Sequence, residues 1–179
     1  FEVTDGPGDL DPVTDVTDAD GEAKTTLTST EAGNSTVKAS TTVYDWDLST
    51  DGEANNSDPA EKEWVYARIE IDPPDDINVV GDSHNFTATV ETSTDGTNWD
   101  PVVGATVTFE KTSGPGNLDP ISALTDSNGQ ATTTLTSSVT GTTNVTASTT
   151  VYGFDLSTDG TANNSEPAEK EWVYARITI

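Results

Sequence analysis

The side chains in this sequence that could do chemistry are mostly oxygen donors. Asp155 and Asp159 open an acidic stretch that runs through Glu166 and Glu169 to Glu171, and Asp126 and Asn128 flank a tight Asp-Ser-Asn-Gly segment. Hard cations such as Ca2+ are bound by clusters of oxygen ligands, and Asp/Asn loops supply them. Neither segment has the spacing of an EF-hand loop. The competing reading is a solvated acidic loop beside a turn, and charge alone does not separate the two. Ca2+ is therefore the cofactor to look for, at Asp155, Asp159, Asp126 and Asn128. Glycoside hydrolysis would need two carboxylates in a cleft that raises one pKa, and no part of the pattern builds such a cleft. One His, His84, and no Cys or Met leave no thiolate metal site, no disulfide framework and little room for imidazole catalysis. The expectation is a chain that is not an enzyme.

The aromatic, amine and amide groups offer contacts rather than reactions. Trp172, Tyr174 and Arg176 share one parity in the final apolar run, as do Trp64, Tyr66 and Arg68 earlier. Exposed aromatics beside an Arg stack on sugar rings or meet a protein partner. The plainer alternative is that the acidic stretch or a neighbouring domain covers them. Trp99 falls at an expected hairpin tip, so partner contact is expected at Trp172, Tyr174, Arg176 and Trp99. Lys62 and Lys170 carry the amine that an isopeptide bond to an Asn requires. That bond needs a buried Lys beside an acid, and Lys170 shares the outward parity read for Trp172. Five N-x-[ST] sequons, at Asn34, Asn55, Asn85, Asn144 and Asn163, are slightly more than composition alone would give. Asn85 and Asn144 have outward parity, and Asn55 and Asn163 lie in the acidic stretches, so glycosylation is sterically open in an exported protein.

These groups must be positioned by strands. Of 179 residues, 7 are Lys or Arg and 32 are Asp or Glu, a formal charge of −25. A nucleic-acid partner would need a basic face, which this balance excludes. No apolar run is long enough to span a membrane, and no charged and apolar leader is present, which places any export signal outside these residues. The polar bulk is Thr, Ser, Asn and Asp, which favour strands and turns. Alternation sets His84, Phe86, Ala88 and Val90 inward, then Ala105, Val107 and Phe109, then Ala131, Thr133 and Leu135, then Val145, Ala147, Thr149 and Val151. Val173, Ala175, Ile177 and Ile179 read as a last inward face. Turn pairs such as Asn128-Gly129 and Asp159-Gly160 separate the runs. The fold class is all-β, an antiparallel Ig-like β-sandwich.

The sequence also repeats itself. Shifted by about 108 residues it overlays without a gap, and roughly two-thirds of the shared positions are identical. Glu61 to Ile69 recurs unchanged as Glu169 to Ile177. A period of this size is a domain, not a solenoid unit. The reading is a partial repeat over residues 1–68, lacking its first strands, and a complete one over 69–179. Residues 61–72 carry no Gly or Pro before Pro73, so the last strand of one repeat is expected to run straight into the first of the next, without a flexible linker.

The stretches Gly104-Ala105-Thr106-Val107-Thr108-Phe109, Thr125-Asp126-Ser127-Asn128-Gly129-Gln130-Ala131 and Gly141-Thr142-Thr143-Asn144-Val145 resemble the bacterial Ig-like repeat of the invasin/intimin type. Thr17-Asp18-Ala19-Asp20-Gly21-Glu22-Ala23 repeats the second in the first copy. The resemblance implies an extracellular Ig-like sandwich, one of many in a cell-surface adhesin or stalk. Adhesive specificity in that family sits in a terminal domain, so no binding residue carries over. The acidic stretch after Tyr152 departs from the pattern.

Three roles follow as expectations. The first is a non-catalytic structural spacer whose partners are neighbouring Ig-like repeats. The second is a subunit of an extracellular filament, completed by strand donation between identical copies. The third is a carbohydrate-binding module.

Overall fold

The computed structural model describes residues 1–179 and contains strands and turns but no helix. The strands are β1 (Glu2–Asp5), β2 (Asp9–Asp11), β3 (Thr26–Thr28), β4 (Gly33–Lys38), β5 (Ser40–Val43), β6 (Trp46–Ser49), β7 (Ala60–Trp64), β8 (Tyr66–Asp72) and β9 (Asp75–Val79). They continue as β10 (Ser83–Ser93), β11 (Asp100–Pro101), β12 (Thr106–Ser113), β13 (Asn117–Asp119), β14 (Ser122–Leu124), β15 (Gln130–Thr136), β16 (Gly141–Val151), β17 (Phe154–Ser157) and β18 (Ala168–Val173). The chain divides into two units. One holds Phe1–Tyr66 and Ser93–Asn98, the other Ala67–Thr92 and Trp99–Ile179.

The second unit is a two-sheet sandwich. One sheet runs β11-β10-β15-β13, with β8 also paired to β10; the other runs β14-β12-β16-β18-β9, with β17 on β16. β10–β15, β12–β16 and β16–β18 pair antiparallel, whereas β18 and β9 run parallel. Inward residues of both sheets form one core: Ile69, Phe86, Ala88, Val90, Val107, Leu135, Val145, Ala147 and Ala168 are each at 0% exposure. His84, Ala131, Thr133, Thr149 and Val151 are buried with them, and Ala105 is half-buried. The four expected alternating faces therefore point inward, as the period-two pattern requires. Burial of such side chains is the main favourable term in the fold, about 1.5–3 kcal/mol for each large one.

The first unit has a three-stranded sheet, β1-β4-β7, and the pairs β2-β3 and β5-β6. Each element falls where its sequence counterpart falls in the second unit: β2 against β13, β4 against β16, β7 against β18. What it lacks is a core. Its buried residues are two serines, Ser35 and Ser93, while Leu27 and Val37 are half-buried and Val43 and Leu48 stand 44% and 42% exposed. Their counterparts Leu135, Val145, Val151 and Leu156 are all buried.

The last apolar run departs from expectation. Its parity predicts Val173, Ala175, Ile177 and Ile179 inside. In fact β18 ends at Val173, and Ile177 and Ile179 are exposed. Within β18 the inward residues are Ala168, Lys170 and Trp172, at 0%, 0% and 1% exposure. The earlier copy explains the inversion. There the run is two strands, β7 ending at Trp64 and β8 starting at Tyr66, with only Val65 between them. β7 pairs with β4, and β8 with β10. In β8 the buried residues are Ile69 and Ile71, the opposite parity to Lys170 and Trp172 in the repeat. One run of sequence serves two sheets, and its alternation changes phase at the join.

Candidate functional site

The parity change relocates the residues at the end of the chain. Trp172, expected outside as a contact residue, is in the core. Tyr174 is 74% exposed and Arg176 is exposed beyond the end of β18. Trp99 is half-buried because the Arg68 guanidinium lies 4.2 Å from its ring centroid. Arg68 is itself fixed by Glu91, its Nε and Nη2 donating to Oε2 at 2.9 and 2.7 Å, with Glu70 at 3.2 Å. A guanidinium held by a carboxylate and stacked on an indole covers the ring face that a ligand would use. Four aromatics that the sequence reading passed over are more open. Tyr44 and Trp46 sit at the β5–β6 turn, 93% and 75% exposed, and Tyr152 and Phe154 repeat them at the β16–β17 turn, at 85% and 69%. Tyr44 and Tyr152 have φ of 49° and 51°, a left-handed conformation that bulky residues avoid. The signal was in the sequence, as the Tyr-Asp-Trp and Tyr-Gly-Phe that follow each Thr-Thr-Val.

The oxygen donors are held by their own turns. Asp126 Oδ1 accepts from the N–H groups of Asn128 and Gln130 at 2.8 and 3.0 Å, and these backbone donors, Gln130 first, hold its carboxyl below the usual range. Asp159 Oδ1 accepts from the Thr161 hydroxyl at 2.6 Å and its N–H at 3.0 Å, with the same effect, the hydroxyl leading. Asp155 Oδ1 accepts from Thr150 Oγ1 at 2.7 Å. Asp126 and Asn128 belong to one turn; Asp155 and Asp159 lie at either end of another segment. No group of three or more His, Cys, Asp or Glu side chains converges anywhere in the chain. The acidic stretch does fold back on β8: Asn164 Oδ1 accepts from Ile69 N–H and Ser165 Oγ from Ile71 N–H, each at 3.0 Å. Among the sequons, Asn34, Asn55, Asn85 and Asn163 are exposed, while Asn144 is half-buried with its Nδ2 donating to Ser113 Oγ at 2.8 Å.

Lys170, whose parity predicts an outward side chain, is instead buried in the second unit. Its side chain has 0% exposure. The ammonium donates to Asp76 Oδ2 at 2.8 Å and to Asn78 Oδ1 at 2.7 Å, and lies 5.8 Å from the Trp172 ring centroid. The parallel register sets Lys170 directly across from Asp76 and Trp172 across from Asn78. His84, from β10 on the other sheet, places Nδ1 3.2 Å from the same Asp76 oxygen. Lys170 keeps the Asp76 carboxyl below its ordinary range, chiefly through that hydrogen bond. Burial, then the Lys170 charge, pushes the His84 imidazole down, against an upward pull from Asp76. The His84 Nε2 is buried and has no partner.

A two-sheet antiparallel sandwich with alternating inward faces and turns at the Gly-bearing positions defines an Ig-like β domain. Within that class, residues 76–164 match the family model described as Bacterial Ig-like domain (group 1), and that stretch of the chain is such a domain. The resemblance read from residues 104–109 and 125–131 is thus borne out. No curated protein matches the chain. Among solved structures it is similar to the D0-D1 domain of intimin, at 24% identity over 95% of this chain and 78% of that one, with a TM-score of 0.40. It is similar at 20% identity to invasin, a bacterial integrin-binding protein, over 94% of this chain and 31% of that one, TM-score 0.42. A third is a C-terminal fragment of intimin in complex with the intimin-binding domain of its translocated receptor, at 28% identity over 57% of this chain and 31% of that one, TM-score 0.36. The chain thus spans less than a third of the invasin structure and of that intimin fragment.

Proposed function

We propose that this chain is a non-catalytic stretch of a bacterial cell-surface adhesin or stalk, in which Ig-like repeats follow one another as a structural spacer. The observation that carries the reading is the join at Val65. β7 completes a sheet of the first unit and β8 a sheet of the second, with one residue between them. The chain's partners are the neighbouring repeats. The half-exposed apolar residues of the first unit, Leu27, Val37, Val43 and Leu48, are the positions that strands from residues 72–108 help to cover in the second.

A second reading is an extracellular filament in which an identical copy donates strands to the first unit. Electron microscopy of the native surface structure separates the two. A beaded single chain supports the spacer, and a helical polymer of short chains supports strand donation. A carbohydrate-binding role has the open aromatic pairs, Tyr44 with Trp46 and Tyr152 with Phe154, in its favour; silence on a glycan array would remove it.

A further inference from the structure

An ammonium group in a protein core is costly unless its surroundings give it something to do or something to hold. Lys170 is wholly buried on the inner face of β18. Its nitrogen meets one carboxylate and one carboxamide, both on the neighbouring strand β9 and two residues apart, so both sit on the same face. The carboxamide is aligned as an acceptor toward Lys170: Asn78 Oδ1 faces the amine, while Nδ2 points away and donates to the Ser83 carbonyl at 3.1 Å. The carboxylate is oriented by a second group, His84 Nδ1, from the opposite sheet. Amine, amide and proton acceptor are therefore assembled at hydrogen-bond distance, on rigid strands, with the nucleophile shielded from water.

We propose that Lys170 and Asn78 condense into an intramolecular isopeptide bond, with Asp76 relaying the protons, so that β18 becomes covalently tied to β9. Asp76 first takes a proton from the ammonium, which frees the lone pair of Nζ. Nζ then attacks Cγ of Asn78. Asp76 returns the proton to Nδ2, the Cγ–Nδ2 bond breaks, and Nδ2 leaves as ammonia. It is protonated in water by the second proton of the former ammonium. One amide is exchanged for another, nothing is oxidised or reduced, and the protein loses one positive charge. No co-reactant is needed. Cγ lies one bond beyond the oxygen that already holds Nζ, so a small turn of the amide brings the pair to a near-attack separation of about 3 Å; such fixed geometry supplies the large effective concentration that a slow amide exchange requires. Lys62, the counterpart of Lys170 in the first unit, is exposed, so within residues 1–179 the bond is expected at Lys170 alone.

The alternative is a buried ion pair that never reacts. Intact-mass spectrometry on the folded full-length chain separates them. The expected mass is below the sequence mass by one ammonia, about 17 Da, and a protease digest contains a branched peptide joining the Asn78 and Lys170 segments. K170R keeps the charge and removes the nucleophile, and is expected at full mass; so is D76A, checked for native strand content by circular dichroism. A cyclic imide at Asn78 would lose the same ammonia but would persist in K170R, and that result overturns the proposal. So does a wild-type chain at full sequence mass after folding, or a branched peptide still present in folded D76A.

Discussion

Individual side chains in the second unit set measurable properties. His84 is buried between the sheets, and its burial suffices to hold the imidazole below its ordinary value. The folded state then takes up the proton at lower pH than the unfolded chain. The stability contributed by the neutral ring is complete above the unfolded value, near 6.5, and is lost as pH falls through the folded one. Urea midpoints are accordingly expected to fall between pH 7.5 and 5.5 in the native protein, and to change less in His84→Asn. Phe86 fills the core at 0% exposure. Phe86→Ala is expected to cost about 3–5 kcal/mol in denaturant unfolding of the second unit. Tyr152 works the other way. Its left-handed backbone is strained and its ring is in water, so Tyr152→Asn should raise stability, by up to ~1 kcal/mol. A gain there would mean that the ring is kept at a stability cost, for a use outside the fold.

At the scale of elements, the close contacts between strands depend on residues without side chains. Gly114 has φ of 85°, and a Cβ there would land on the Thr142 backbone carbonyl. Gly6 meets the Asn34 carbonyl in the same way in the first unit. Gly114→Ala is expected to destabilise by at least ~2 kcal/mol, since strain and collision add. It is read from the denaturant midpoint at unchanged slope. Much of this element level was legible in advance. β10, β12, β15 and β16 alternate cleanly, because each is one strand in one sheet with one wet face. The final run misled because hydropathy was followed across a boundary. Glu169, Lys170 and Glu171 look like a solvated stretch, and only three-dimensional pairing shows that Lys170 faces Asp76. A buried cation leaves no hydropathy signal, since its partners lie 94 and 92 residues away in sequence. Asp126, by contrast, was correctly placed in a turn, because its partners are its next neighbours.

For the whole molecule, charge and covalent linkage matter most. A net charge of −25 makes folded chains repel themselves, and salt screens that repulsion. Melting temperature is expected to climb with NaCl and to climb equally with CaCl2 at matched ionic strength. The carboxylates of Asp126, Asp155 and Asp159 are already engaged by nearby backbone or hydroxyl donors. An extra gain with Ca2+ would place a cation among them. If the Lys170–Asn78 bond forms, pulling the chain from its ends cannot extend the 92 residues between them, about 300 Å of contour. Single-molecule stretching would then miss that length in the native chain and recover it in Lys170→Arg.

The single-residue join at Val65 has a consequence for heredity. Because a repeat's closing stretch builds a sheet of the module downstream, the segment that is copied and the body that folds are out of step. A gene for such a chain can gain or lose copies by crossing-over at any matching point, and every internal module still receives its opening strand from the copy before it.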